Sequence, residues 1–290
     1  MGSEMCIRDR NYSTSFSKAV RLLDPSYRDG IYAIYGFVRL ADEVVDTFYG
    51  HDQQRMLENI KQDVFEAIKE GVSTNPLIHS FQLFVNRYGI PQELINSFLQ
   101  SMEMDLHKNN YNADEYQTYI YGSAEVVGLM CLMVFCSGNV ERYMELKAPA
   151  QKLGRALQKI NFLRDLKDDY QIRGRVYFPN VNFDSFTVDE KRIIEGDIQA
   201  ELKGSLEGIN ALPRGARAGV YLAYLFFSAL LKRIRRIKAS ELMQKRIRIS
   251  NSYKLILLVR VYLKFVFTWD CTKPLPSHVP LAICGITVFS

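Results

Sequence analysis

The chain has 290 residues, of which 48% are hydrophobic and 24% charged, and its formal net charge is +5. A chain of this size and composition can bury a large core, and we expect one domain. Nucleic acid is not expected as a partner, because no recognition motif accompanies the mild positive charge.

The five cysteines and four histidines do not stand at metal-ligating or paired spacings, so neither a zinc site nor a disulfide framework is expected. Free thiols point to a reducing compartment, the cytoplasm. No signal peptide is visible, and we find no apolar run of roughly 18 residues that could span a bilayer. Residues 126–136 and 221–231, the longest apolar stretches, are expected to be buried core helices.

Start and stop signals predict long helices along the chain. Residues 24–25 predict the start of a helix that ends near Gly50, residues 89–91 separate the next two helices, and Gly174 predicts a later end. No proline occurs at 92–148, and apolar residues recur every three or four positions. We therefore expect an all-α protein.

Two aspartate motifs stand in apolar helical patterns far apart in the sequence. The first pairs Asp42 with Asp46 and the second pairs Asp165 with Asp169. Because each pair is four residues apart, its side chains share one helix face. Arg39 lies on the first face, and the second face extends towards the N-terminus through Gln158 and Asn161.

Paired carboxylates on facing helices suit Mg²⁺, which takes one or two carboxylates and completes its octahedron with waters and substrate phosphate oxygens. Either motif alone is also typical of a solvated acidic helix face. Both motifs together, with Asn161 and Arg164 beside the second, favour a metal-bridged diphosphate site.

The second motif lies in a longer pattern that resembles the second signature of the squalene and phytoene synthases, the head-to-head prenyl transferases. The matching residues are Leu153, Gly154, Gln158, Asn161, Phe162, Leu163, Arg164, Asp165, Asp169, Arg175, Val176, Tyr177, Phe178 and Pro179. Residues 12–16, 35–46 and 119–128 resemble the N-terminal segment, the first aspartate motif and the central helix of the same family. Residues 37–43 and 123–131 are most similar to bacterial phytoene synthases.

The resemblance has two departures: Glu125 stands where the family usually has a small residue, and Thr14 where some members carry lysine. It covers residues 11–265 and implies one catalytic domain there, an isoprenoid-synthase-type helical bundle around a central apolar cavity. Residues 1–10 and 266–290 fall outside it, and we assign them no function.

The resemblance also implies site residues. The metal ligands would be Asp42, Asp46, Asn161, Asp165 and Asp169, and the catalytic residues would be Asp42, Asp46, Asp165, Asp169, Tyr119 and Asp105. Substrate would be bound by Ser13, Phe16, Tyr35, Arg39, Gln158, Arg164, Arg175 and Arg246. Two of these residues also have non-functional explanations. Arg175 could form only a structural salt bridge, and Asp105 could be an inert residue at an exposed helix position.

The apolar residues of the central helix could line a prenyl tunnel, although without the family resemblance such a stripe is more often plain core. They are Val126, Val127, Leu129, Met130, Leu132, Met133 and Phe135. Gly122 and Gly128 within this helix indicate close approach of substrate or of a neighbouring helix.

By resemblance, the expected function is that of a phytoene synthase of carotenoid biosynthesis, which joins two geranylgeranyl diphosphates head to head through a cyclopropylcarbinyl diphosphate. The expected metal is Mg²⁺, with Mn²⁺ as an alternative. A squalene or dehydrosqualene synthase acting on farnesyl diphosphate is the close alternative, with NADPH needed only for squalene. A non-catalytic, membrane-associated assembly factor on the same fold is the alternative from another class.

Basic residues cluster at 232–238 and 245–248. They are compatible with a solvated helix face and with attraction to diphosphates or to an anionic membrane. We expect prenyl diphosphates as substrates, and a cytoplasmic location with peripheral contact at the inner face of the cell membrane.

Overall fold

The computed structural model describes residues 14–179, 181 and 183–267, so Ser13 lies outside the described residues. Within them the chain forms twelve α-helices and no β-strand, which confirms the predicted all-α fold. The helices are α1 (Thr14–Val20), α2 (Pro25–Thr47), α3 (Gln53–Glu70), α4 (Pro76–Tyr88), α5 (Gln92–His107), α6 (Ala113–Ile120), α7 (Val126–Phe135), α8 (Val140–Lys167), α9 (Val188–Ala211), α10 (Arg214–Arg235), α11 (Ala239–Leu242) and α12 (Asn251–Phe267). Two π-helical turns continue α6 and α8, and they span Tyr121–Glu125 and Asp168–Ile172.

Helix α2 begins where the sequence predicts and carries the first aspartate motif. The Asp24 side chain accepts a hydrogen bond from the Ser26 backbone N–H at 3.0 Å, and Pro25 takes the first helical position, where no N–H bond is needed. The buried residues of α2 recur every three or four positions, at Gly30, Ile34, Phe37, Ala41 and Val45. The motif therefore occupies the face beside the buried one.

The core consists mainly of two hydrophobic clusters. The first contains residues of α2 to α5 and α7, and the second contains residues of α6 and α8 to α10. The first motif lies on a helix of one cluster and the second motif on a helix of the other. The fold thus places the two motifs on either side of the junction between the clusters.

Glycines allow helices to pack closely around the central helix. A Cβ at Gly122 would lie 2.3 Å from the Ser97 backbone oxygen, whereas one at Gly128 would make an ordinary contact of 3.6 Å with the Ala150 backbone oxygen. At Gly122 the close approach is therefore that of a neighbouring helix.

Cys131 on α7 is half-buried, and burial raises the pKa of its thiol to about 12. Val127, one turn earlier, is likewise partly accessible. The other residues expected to line a tunnel are packed in the core: Val126, Leu129, Met130, Leu132, Met133 and Phe135.

In the part of the chain that the structure describes, one continuous helix, Ala113–Phe135, is long and apolar enough to cross a membrane by length and composition. This corrects the expectation that no such segment exists. Its best window has a mean hydropathy of 1.5, and 61% of that window is buried inside the protein. Because a core helix passes the same test, the segment is weak evidence for membrane insertion.

Candidate active site

Asp46 of α2 and Asp169 of the second π-helical turn share one arginine. Arg173 places Nη2 3.3 Å from Oδ2 of Asp46 and Nη1 2.8 Å from Oδ1 of Asp169. Arg175 Nη1 lies 3.0 Å from Oδ1 of Asp46, and the Arg175 backbone N–H donates to the Asp169 carbonyl at 2.8 Å. The two motifs therefore meet in space. Arg173 was missed by the sequence reasoning, although its i,i+4 spacing from Asp169 is a usable signal.

A π-helical turn makes this meeting possible. Helix α8 ends at Lys167, and the Arg173 backbone N–H then bonds to the Asp168 carbonyl at 3.2 Å, five residues earlier. Gly174 follows with φ of +68°, a conformation that glycine adopts without steric cost. The chain reverses directly after the second motif, which brings Arg173 and Arg175 back against it. Such π-turns often occur at functional sites.

Asp42 is half-buried among charged side chains. Its side chain is 37% exposed, yet its pKa is raised to about 6, chiefly because burial disfavours the charge and then because Asp46 repels it. Arg39 pairs with Asp42 and places Nη2 3.1 Å from Oε2 of Glu43. Arg39 thus offsets part of the penalty on the Asp42 carboxylate.

Asp165, the first aspartate of the second motif, is held by two arginines. Arg246 Nε lies 2.7 Å and Arg164 Nε 3.0 Å from Oδ1 of Asp165. The Ile247 backbone N–H donates to the Arg164 carbonyl at 3.3 Å. The segment that carries Arg246 is thus fixed against the second motif.

Asn161 lies one turn before Asp165 and has an oxygen without a protein partner. Its Nδ2 donates to Oε1 of Gln158 at 3.3 Å, whereas its Oδ1 is buried and accepts no hydrogen bond from the described residues. A buried carbonyl oxygen normally has a partner. Asn161 is therefore a candidate for a ligand that the protein itself does not supply.

The side chain of Asp105 on α5 is only 6% exposed, which corrects the expectation that this helix position is exposed. Tyr119, Tyr111 and Tyr177 donate their hydroxyls to its carboxylate at 2.7, 2.9 and 3.3 Å. Arg175 Nη2 donates to the Asp105 backbone carbonyl at 3.2 Å, and Nη1 lies 4.0 Å from Oδ2. Burial raises the pKa of Asp105, while Arg175 and the tyrosine hydroxyls act in the opposite direction. Tyr111 carries no sequence signal for this contact.

Two aromatic pairs accompany the aspartates. Phe16 stacks on Tyr35 with ring centroids 4.3 Å apart, and Tyr119 stacks on Tyr177 at 5.1 Å. All four were expected at the site, Phe16 and Tyr35 as binding residues. Aromatic faces attract cations, so these rings are suited to a carbocation nearby.

Glu125, the residue that departs from the family pattern, anchors a buried ionic network. Its side chain accepts from Arg155 Nη1 at 3.0 Å and from Gln151 Nε2 at 2.8 Å. Arg155 Nε also lies 3.1 Å from Oε1 of Glu201, which Lys159 Nζ approaches to 3.0 Å. The larger side chain is accommodated by its own cationic partner. Sequence reasoning missed this network, because its members are distant along the chain.

Among the described residues, no group of three or more His, Cys, Asp or Glu side chains converges closely enough to hold a metal ion. Arginines engage the carboxylates instead. The donor set nevertheless fits Mg²⁺, because Asn161 Oδ1 is an unpartnered buried oxygen of the kind that this cation takes. Burial also raises the pKa values of Asp42 and Asp169 to about 6, and neighbouring carboxylates add to the effect, which a bound cation would relieve.

Comparison with known proteins agrees with this geometry. The squalene/phytoene synthase family model matches residues 9–253. The chain is 28% identical to 4,4'-diapophytoene synthase of Staphylococcus haemolyticus over 65% of each protein, just under two thirds of that relative's length. It is 27% identical to phytoene synthase of Arthrospira platensis over 78% of this chain and 81% of the relative.

A crystal structure of a dehydrosqualene synthase in complex with ligand superposes with a TM-score of 0.76, at 21% identity, over 92% of this chain and 96% of that one. At this identity the likeness shows the fold alone, the helical fold of the isoprenoid synthases. The match to the family model covers most of the chain, including both aspartate motifs. The chain belongs to the squalene/phytoene synthase family of head-to-head prenyl transferases.

Proposed function

We propose that the protein is a phytoene synthase that catalyses the Mg²⁺-dependent 1'-1 condensation of two geranylgeranyl diphosphates in carotenoid biosynthesis, through a cyclopropylcarbinyl diphosphate. The observation that carries the proposal is the meeting of Asp46 and Asp169 through Arg173. It brings carboxylate oxygens and guanidinium groups together, and such a combination suits Mg²⁺ and a diphosphate leaving group.

The charged residues would act on the diphosphate. A diphosphate carries roughly three negative charges near neutral pH, and its departure needs positive charge where negative charge develops. Mg²⁺ held by Asp42, Asp46, Asn161, Asp165 and Asp169 would supply that charge. Arg39, Arg164, Arg175 and Arg246, whose guanidinium groups lie against these aspartates, would donate forked hydrogen bonds to phosphate oxygens, with Gln158 beside them.

The uncharged part of the site would protect the reactive chain. An allylic cation is quenched by water, so the cavity beyond the diphosphate must be apolar and closed. Cys131 and Val127, which are only partly buried, would line such a cavity. The stacked rings of Tyr119 and Tyr177 would present π-faces towards a cation, and the Asp105 carboxylate beneath them would favour positive charge during the second ionisation.

A squalene or dehydrosqualene synthase that uses farnesyl diphosphate is the second candidate. The similarity to the staphylococcal 4,4'-diapophytoene synthase favours it. Squalene formation would need NADPH as hydride donor, and dehydrosqualene formation would not. A non-catalytic assembly factor on this fold is disfavoured, because such a protein has no use for Asp42, Asp46, Asp165, Asp169 and Asn161, all of which are retained.

We further infer a cytoplasmic location with peripheral contact at the membrane. Cys131 and Cys136 are free thiols, as in a reducing compartment. The substrates and the hydrocarbon product of the proposed reaction partition into lipid, so an enzyme at the membrane surface has direct access to both.

The direct test incubates the purified protein with Mg²⁺ and either geranylgeranyl or farnesyl diphosphate, with and without NADPH, and identifies hydrocarbons by mass spectrometry. Phytoene formed from geranylgeranyl diphosphate without NADPH is the expected result. Squalene or dehydrosqualene from farnesyl diphosphate would move the assignment to the second candidate. No hydrocarbon from a folded protein would favour the non-catalytic relative.

A further inference from the structure

Helix α12 is apolar on two sides, but only one side is covered. Leu257 and Val261 are buried against Leu222 and Phe226 of α10. Four large apolar side chains on α12 remain exposed by 42 to 60%: Leu255, Ile256, Val259 and Leu263. Their spacing of three and four residues places them in one stripe, which we call the outer face of α12. A helix with apolar residues on both sides is normally buried on both sides.

The chain around the outer face is strongly basic. Residues 242–267 contain six lysines and arginines and no aspartate or glutamate, namely Lys245, Arg246, Arg248, Lys254, Arg260 and Lys264. Two of the six are already paired with acidic side chains, since Lys245 lies 3.2 Å from Glu241 and Arg246 lies 2.7 Å from Asp165. Arg260 is exposed, and no described acidic side chain pairs with it. Lys264 Nζ lies 4.1 Å from the ring centroid of Tyr221 on α10, so its charge lies at the side of the helix. An exposed apolar stripe flanked by cations is typical of a helix that lies in a lipid interface.

The start of α12 lies at the edge of the candidate active site. Burial lowers the pKa of Lys254, and the nearby charges of Lys18, Arg164 and Arg248 lower it further. Arg246, which precedes the helix, contacts Asp165. Anything that docks on the outer face of α12 therefore lies beside the residues expected to bind diphosphate.

We propose that the outer face of α12 docks the protein on an anionic lipid bilayer. Its apolar side chains would enter the boundary between headgroups and acyl chains, while Arg260 and the neighbouring cations would contact lipid phosphates. The docking itself does not depend on the identity of the substrate. Under the proposed function it would hold the site at the surface that contains the long-chain substrates.

Charge argues for lipid rather than for a second copy of the chain. A two-fold dimer through the outer face would place the same patch against itself and bring like charges together. An anionic surface has the complementary charge. The segment at 268–290, which follows α12 and contains Lys273 as well as apolar residues, is the remaining competitor for the face.

The test is sedimentation of the full chain with vesicles of pure phosphatidylcholine and with vesicles that contain phosphatidylglycerol, without any prenyl diphosphate. We expect binding to the anionic vesicles, weakened by high salt. The double variant Ile256→Glu/Val259→Glu should lower the partition coefficient by about tenfold or more, because two charged side chains cannot enter the interface. Circular dichroism would verify that the variant is folded.

Leu83→Glu is the matched control. Leu83 is 48% exposed and Val259 is 49% exposed, but Leu83 lies on α4 and not on the outer face of α12. The control should bind vesicles as the unchanged protein does.

Equal binding of the double variant, or no binding of the unchanged full chain, would overturn the proposal. A dimer in lipid-free sedimentation that dissociates in the double variant would overturn it in favour of a second copy. Binding that appears only after removal of residues 268–290 would assign the face to that segment. Since prenyl diphosphate is omitted, none of these outcomes depends on the proposed catalytic activity.

Discussion

Arg175 Nη1 lies 3.0 Å from Oδ1 of Asp46, although 129 residues separate the two in sequence. Arg175 is buried among the tyrosines around Asp105, so this contact ties the first aspartate motif to the far side of the site. Together with Arg173 it balances carboxylates that burial would otherwise penalise. The arginines thus have a structural effect that can be measured separately from catalysis.

Arg173→Gln should destabilise the protein by about 1–2 kcal/mol, because Asp169 and Asp46 each lose a charged partner in a partly buried setting. Urea unfolding measures the change. Arg192→Gln is the control, since its pair with Asp189 is almost fully exposed and is worth little. Mg²⁺ with inorganic diphosphate should recover part of the loss by neutralising the same carboxylates. Equal stability of the two variants would contradict a balancing role for Arg173.

Asp42→Asn and Asp165→Asn should each lower turnover by at least about 100-fold while the helical circular-dichroism signal is kept, since each removes a charge that the leaving group depends on. Asp63→Asn, at an exposed position on α3, is the control and should keep full activity. Steady-state assays with the substrate identified above provide the measurement. Activity near that of the unchanged protein in either site variant would remove the metal-binding assignment.

Asn161→Leu should raise the Mg²⁺ concentration for half-maximal activity by about 10–100-fold. The buried Oδ1 has no protein hydrogen bond to lose, and the substitution removes only the 3.3 Å bond from Nδ2 to Gln158, so thermal stability should fall by about 1 kcal/mol at most. Asn161→Asp retains an oxygen ligand and adds charge, so it should bind Mg²⁺ at least as well as the unchanged protein. A thermal shift on adding Mg²⁺ and inorganic diphosphate gives a readout without turnover. If both variants titrate alike, Asn161 is not a metal ligand.

The sequence predicted the arrangement within each aspartate motif, but not the contact between the two motifs. Spacing of three and four assigns Asp42 and Asp46 to one face of a helix, because the geometry of a helix is local. It does not orient one helix against another, so the bridge through Arg173 required the fold. The Asp105 contacts were out of reach for the same reason, since Tyr111 lies in a connection and meets Asp105 only in the folded chain.

The family resemblance named candidate site residues that helix geometry alone does not identify. It gave no expectation at positions where this chain departs from the family pattern. Glu125 had no expected partner, and the structure pairs it with Arg155 on a helix 30 residues later. The cost of burying a carboxylate explains why such a partner must exist, but not which residue provides it.

Glu125→Gln should gain stability relative to the unchanged protein as pH rises. Burial raises the pKa of Glu125 above its ordinary 4.5, against the opposing effects of Arg155 and Gln151. The folded protein therefore holds this proton more tightly than the unfolded chain. The resulting stability is present below about pH 4.5 and is lost as pH rises through the folded pKa. Glutamine does not titrate, so the difference in unfolding free energy should rise over this range and then level off.

Glu190→Gln is a control for which we expect the opposite pH dependence of stability. Hydrogen bonds from Thr187 lower the pKa of Glu190, so its contribution is present above its ordinary pKa and is lost as pH falls. The stability of this variant relative to the unchanged protein should therefore fall as pH rises. Urea unfolding of all three proteins from about pH 2.5 to pH 8 separates the two behaviours, because the change for Glu190 lies below its ordinary pKa of 4.5. A flat or falling difference for Glu125→Gln would contradict a raised pKa.

Gly154→Ala should test the contact between α8 and the first π-helical turn. The added Cβ would lie 2.9 Å from the Ala124 backbone oxygen and 3.1 Å from Cα of Glu125. Because both neighbours are backbone atoms, relief requires the two helical segments to separate, at a cost of about 1–3 kcal/mol. Gly196→Ala is the matched control, since it lies within α9 and a Cβ there meets nothing within 4 Å. It should stabilise the protein by about 0.4–1 kcal/mol by restricting the unfolded chain. Opposite signs in urea unfolding would show that glycine is needed at Gly154 for packing, whereas two stabilising substitutions would mean that the segments have room to separate.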